Sequence, residues 1–139
     1  MDTTRHLDHW LKAMPSAGFR YVYWPDSAAP EYLGGLRRWP SGMVDVVIIR
    51  DADIAAAYRV RCGRHGNPFL PGVLFWSVEG AAWFVTRSAV ELLSPDAPNA
   101  PNRAHPMPPT IAALAEPFAA ERYSMRIPPR HQPPTTGVA

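Results

Sequence analysis

Apolar side chains recur at Leu7, Trp10 and Leu11, the i, i+3, i+4 spacing of one helix face. Thr3 or Thr4 can cap this helix, and the pattern carries it to about residue 13, where Pro15 and Gly18 end it. Residues 19–24 are dense in aromatics and valine and predict a strand, closed by Pro25. Residues 30–39 predict a short helical turn with Pro30 near its first position, a reading that the Gly34-Gly35 pair weakens. Pro40-Ser41-Gly42 is a turn signal. The β-branched run 43–49 follows, apolar on both faces except for Asp45, and predicts a central strand covered on both sides.

Asp51 then reads as the cap of a helix reaching about residue 61, with Ile54, Ala57, Tyr58 and Arg61 on one face. Residues 62–68 form a loop, and 73–78 a further strand. Residues 81–93 admit two readings. As a helix, Ala81, Val85, Ala89 and Leu92 line one side; as a strand, 83–86 would form a hairpin with 73–78 across Glu79-Gly80. Length and the Ala-Val-Glu-Leu-Leu ending favour the helix.

The composition changes at Ser94. Eleven of the seventeen prolines fall between Pro95 and Pro134, which favours extended polyproline II backbone. Within that stretch Ile111 and Leu114 sit at i, i+3 after Thr110, predicting a helical turn limited by Pro117. Residues 122–127 then alternate strictly, with Tyr123, Met125 and Ile127 on one side. The chain therefore divides into a compact core at 1–93, a proline-rich connection at 94–121, a returning edge strand at 122–127 and a disordered tail at 128–139. The predicted fold class is a small single-domain α/β or α+β sandwich of three to four strands with helices. The element order is roughly α-β-α-β-α-β-α with a late strand.

The 139 residues suit one domain, and 47% apolar content is enough for a buried core. A formal net charge of +2 gives no argument from bulk charge for nucleic acid or membrane binding. Cys62 is the sole cysteine, so no intramolecular disulfide is expected. Residues 1–10 are too polar for a secretory signal, and the longest apolar run is far short of the ~20 residues of a bilayer span. A cytoplasmic protein is the expectation. Thirteen of fourteen basic residues are arginine; their scatter fits genomic composition as well as selection for bidentate anion contacts.

Phosphate-binding glycine motifs and the Gly-x-Ser-x-Gly elbow are absent. His6 and His9 share a helix face and, with Cys62 and His65, make the one candidate metal set, of a kind zinc accepts. Cys62 and His65 also suggest a thiolate and its base, with Arg59, Arg61 and Arg64 to lower the thiol pKa, but no third orienting group is identifiable. No cofactor is expected. Asp45 is a site carboxylate or, the preferred reading, the structural partner of Arg37 or Arg38, because an unpaired buried carboxylate is costly. Asp51 and Asp53, near a strand end, join Asp45 as candidates for a small-ligand cleft. Tyr58, Arg59, Arg61, Arg64 and His65, extended by Arg37 and Arg38, could form a nucleic-acid surface.

Trp24-Pro25 and Trp39-Pro40 end elements at expected surfaces, where exposed tryptophans anchor interfaces. The Pro98-x-x-Pro101-x-Arg103 pattern is of the kind that proline-recognition domains bind, although it arises easily in so proline-rich a stretch. The lead expectation is a non-catalytic interaction or regulatory module, contacting a protein partner or a second copy of itself through Trp24, Trp39, Arg37 and Arg38. A ligand-binding or enzymatic cleft and a nucleic-acid surface are the alternatives, and no membrane partner is expected.

Overall fold

The computed structural model describes residues 3–62, 66–120 and 124–125. Helix α1 (Thr3–Ser16) leads into β1 (Arg20–Trp24), β2 (Tyr32–Arg38), β3 (Met43–Asp51), β4 (Ile54–Arg61) and β5 (Val73–Gly80). Helix α2 (Ala82–Val90), β6 (His105–Pro106), α3 (Pro109–Ala120) and β7 (Ser124–Met125) complete the order. The strands form one sheet, β6-β5-β4-β3-β2-β1-β7, antiparallel throughout. The fold is thus α+β, with more strands than the three to four predicted.

Alternation along β3 divides the core. Val44, Val46 and Ile48 pack with Val22, Leu36, Tyr58 and Leu74 under α3, which contributes Ile111, Leu114, Ala115 and Phe118. Val47 and Ile49 face the other way, with Ala55, Ala57, Met14 of α1 and Val85 and Ala89 of α2. Strand β3 is the middle strand of the sheet and all of 43–49 is buried, as its two-faced apolar run predicts.

Two predicted helices are strands. Residues 30–39 hold β2, and the Gly34-Gly35 pair has a packing role there. A Cβ on Gly34 would lie 2.7 Å from Val22 Cγ2 and 3.4 Å from the Phe118 ring, and one on Gly35 would strike Met14 Cε. The missing side chains let α3 and α1 settle on opposite faces of one strand. Residues 51–61 are the turn and β4. The run Ala55, Ala56, Ala57 favours helix by propensity, but here it pairs with β3 and β5 and is buried on both faces. Tertiary pairing overrides the local preference. Asp51 accepts the Asp53 backbone N–H at 2.9 Å, so it fastens the β3–β4 turn and caps no helix.

Within 81–93 the helix reading holds, as α2 over Ala82–Val90. The proline-rich segment returns to the sheet at β6, which pairs with Val73 and Leu74 of β5. It then supplies α3 to the core. Ser124 and Met125 pair with Tyr23 and Val22 at the opposite edge; the remainder of 121–139 lies outside the described residues. No helix among the described residues is long and apolar enough to cross a membrane.

Candidate functional site

Antiparallel register places Arg37 of β2, Asp45 of β3 and Arg59 of β4 in one cross-strand row. Their side chains lie on the α1/α2 face and are buried: Arg37 is 6% exposed, Asp45 and Arg59 are 0%. Arg37 donates from Nε and Nη2 to Asp45 Oδ2, at 3.1 and 2.9 Å. Arg59 donates from Nε to Oδ1 at 2.6 Å and from Nη2 to Oδ2 at 3.0 Å. The Trp39 indole N–H reaches the same Oδ2 at 2.8 Å.

The outer faces of the two guanidiniums complete helix ends. Arg37 donates to the carbonyls of Ala17 and Ala89, and Arg59 to that of Leu93. Both sit under the carboxyl end of α2, where the helix dipole favours cations. Burial pulls the Arg37 pKa down; Asp45 pushes it back up, and Arg59 adds to the lowering. The Arg37 guanidinium also lies 4.4 Å over the Phe19 ring and 5.0 Å over Trp39. This is the arginine-paired arrangement preferred for Asp45 from its sequence context, with Arg59 as a second partner.

The row corrects the expected surface roles of three residues. Arg37 cannot contact a partner protein, because its donors are committed inside the molecule. Arg59 is equally enclosed. Tyr58 cannot stack on a nucleic-acid base: it is fully buried, donates its hydroxyl to the Pro68 carbonyl at 2.8 Å, and burial raises its pKa. Trp39 is half-buried. Trp24 is also half-buried, edge-on to Tyr32, with its indole nitrogen enclosed.

Other candidates are dispersed. Asp51 and Asp53 are exposed at the far end of β3, about 20 Å along the strand from Asp45. Asp53 lines a concavity with Arg50, Glu79 and Tyr32 that includes neither Asp45 nor Asp51. The proposed three-carboxylate cleft is therefore not assembled. Cys62 packs against the α3-side core, whereas His6 stands on α1 on the other face, edge-on to Trp83 of α2. His9 is exposed on α1. His65 and Arg64 lie outside the described residues. Among the described residues no group of three or more His, Cys, Asp or Glu gathers as a metal site.

What the strands do gather is charge. Hairpin alternation brings Arg20, Arg37, Arg38, Arg59 and Arg61 to the β2–β3 end of the sheet, where Asp45 is the one strand acid. The β3–β4 end carries Asp26, Glu31, Asp51, Asp53 and Glu79 against Arg50. A net charge of +2 conceals this polarity. With Arg37 and Arg59 committed inside, Arg20, Arg38 and Arg61 are the exposed strand cations of the basic end among the described residues.

Arg61 lies 5.6 Å over the Phe75 ring. Arg38 lies between two concavities. One of about 340 Å³ includes Trp39, Met43 and Cys62; the other, of about 400 Å³, includes Gly18, Arg20 and Leu36. Arg20 is a residue that sequence reasoning missed. The strand reading of 19–24 was available, but the β1–β2 register that sets Arg20 beside Arg38 was not. The chain matches no family model, no curated protein and no solved structure among those compared with it.

Proposed function

We propose that the chain is a non-catalytic cytoplasmic interaction module that engages an acidic face of a protein partner through the arginine-rich end of its sheet. The supporting observation is the charge segregation: exposed Arg20, Arg38 and Arg61 have no acid within ion-pair distance among the described residues. The chain continues the same sign in sequence, with Arg64 and His65 after Cys62, and Arg126, Arg130 and His131 but no acid after Met125. Half-buried Trp39 and the Arg61–Phe75 stack supply aromatic surface beside the cations. This keeps Arg38 and Trp39 from the set expected from sequence and replaces Arg37 and Trp24 with Arg20 and Arg61.

The test is affinity capture from the host lysate with the full chain, an Arg38→Glu/Arg61→Glu variant and an Asp51→Lys/Asp53→Lys control. A partner should be retained by the wild type and the control, be lost from the arginine variant, and weaken as salt is added. Capture indifferent to the arginine reversal would overturn the proposal. Loss of capture on nuclease treatment would assign the same end to nucleic acid instead.

A further inference from the structure

We infer that the concavity between Arg20 and Arg38 is a receptor for a phosphoryl group, an inference that rests on the basic end being the binding surface. The register Arg20↔Leu36 sets Arg38 two residues beyond Leu36, on the same face as Arg20. Diagonal neighbours of this kind have Cβ atoms about 7 Å apart, so two long guanidinium side chains can converge on one ligand. Extending the register places Gly18 opposite Arg38. It lines the concavity with bare backbone; its φ of +102° suits glycine, and a Cβ there would turn towards the Arg37 side chain, 3.3 Å away, on the other face of the sheet. Buried Leu36 forms the floor.

The charge and shape select the ligand class. Both arginines are exposed, and neither has an acid partner among the described residues. A carboxylate offers two oxygens, which one guanidinium fork satisfies. A phosphoryl group offers three terminal oxygens and a charge approaching −2, which matches two guanidiniums. The concavity of about 400 Å³ exceeds a bare phosphate, leaving room for the group that carries it. Arg38 is also held from within, because its neighbours Arg37 and Trp39 both donate to Asp45.

The probes are inorganic phosphate and phosphoserine, titrated into the isotope-labelled full chain at constant ionic strength and followed by backbone amide and arginine side-chain resonances. Saturable shifts at Gly18, Arg20 and Arg38 are expected. Arg20→Gln and Arg38→Gln should each weaken binding about tenfold, and Arg50→Gln, at the opposite end of the sheet, should leave it unchanged. Both substitutions are at exposed positions, and unchanged thermal midpoints will show that the fold is intact. Equal affinity for both probes would identify a free oxyanion as the ligand; tighter phosphoserine binding would identify a phosphorylated side chain. Shifts that do not saturate, or that persist in both arginine variants, would overturn the inference. Partner capture that depends on Arg38 and Arg61 would in that case leave the proposed function standing. Saturable phosphate binding with capture indifferent to arginine reversal would do the opposite.

Discussion

Asp45→Asn tests whether the buried row is the keystone of the sheet. Asn preserves the volume but removes the charge that balances two guanidiniums. It also places an NH2 group among five donor contacts, from Arg37, Arg59 and Trp39. Removing one partner of a buried ion pair costs about 3–5 kcal/mol, because the other charge stays buried and uncompensated. Here one carboxylate serves two arginines, Arg37 being 6% exposed and Arg59 0%, so we expect a loss of about 4 kcal/mol. A chain of this size loses roughly 4 °C in Tm per kcal/mol, giving a fall of about 15 °C. Urea denaturation of wild type and variant, followed by far-UV circular dichroism, measures the change directly. The loss should resist added salt, because the cluster is shielded from solvent. A loss below about 1 kcal/mol, or one erased by salt, would refute the assigned burial and pairing.

Four further substitutions probe the packing and a titrating group. Gly34→Ala should cost about 1–3 kcal/mol in urea midpoint analysis, because the new methyl meets the stiff, fully buried Val22. Gly35→Ala should cost less, since the atom it meets is the mobile end of Met14. Phe118→Ala should cost about 3–5 kcal/mol, because this α3 ring is fully buried and stacks on Phe69 at 4.7 Å. A negligible loss would detach α3 from the core. Tyr21 donates its hydroxyl to the Leu11 carbonyl, and burial, aided by Tyr23, raises its pKa from 10.0 to about 12. The neutral phenol is favoured in the folded state, so its contribution is complete below pH 10 and is lost as pH rises towards 12. Tyr21→Phe should shrink that alkaline loss, which stability measured across the range by tyrosinate absorbance and circular dichroism will show.

The elements legible in the sequence are those whose pattern and environment agree. Residues 43–49 are apolar on both faces and lie between two helical layers; Leu7, Trp10 and Leu11 mark α1. Strands β2 and β4 are misread because their local signals answer to distant packing. Gly34-Gly35 looks like a helix breaker until α1 and α3 are seen to press on the strand from both sides. The alanines of β4 look helical until β3 and β5 flank them. The error propagates to the site. On a helix, Arg59 falls beside Tyr58 on a solvent face. On a strand, the two point to opposite sides, one to Asp45 and the other to Pro68. The cost of burying a bare carboxylate is a local argument, and it names Arg37 or Arg38 as the partner of Asp45 without knowledge of the fold; the β2–β3 register selects Arg37. Arg59 and Arg20 require strand register, which no local pattern supplies.

The interior row and the basic end are linked by the alternation of β2. Arg37 and Trp39 point inward and are tied to Asp45, so the intervening Arg38 is held pointing outward on a strand fixed at both neighbours. A surface arginine ordinarily loses much of its binding free energy to the ordering of its own side chain and backbone. Here the backbone part of that ordering is complete before any ligand arrives. The placement also explains why a cationic end can persist in a folded protein. The closest carboxylate in the strands, Asp45, is fully occupied by Arg37 and Arg59 and is enclosed. It cannot swing out to neutralise Arg38. The buried pairing therefore stabilises the sheet and leaves the exposed arginines without an acidic competitor among the described residues, which is the electrostatic condition that the proposed anionic partner requires.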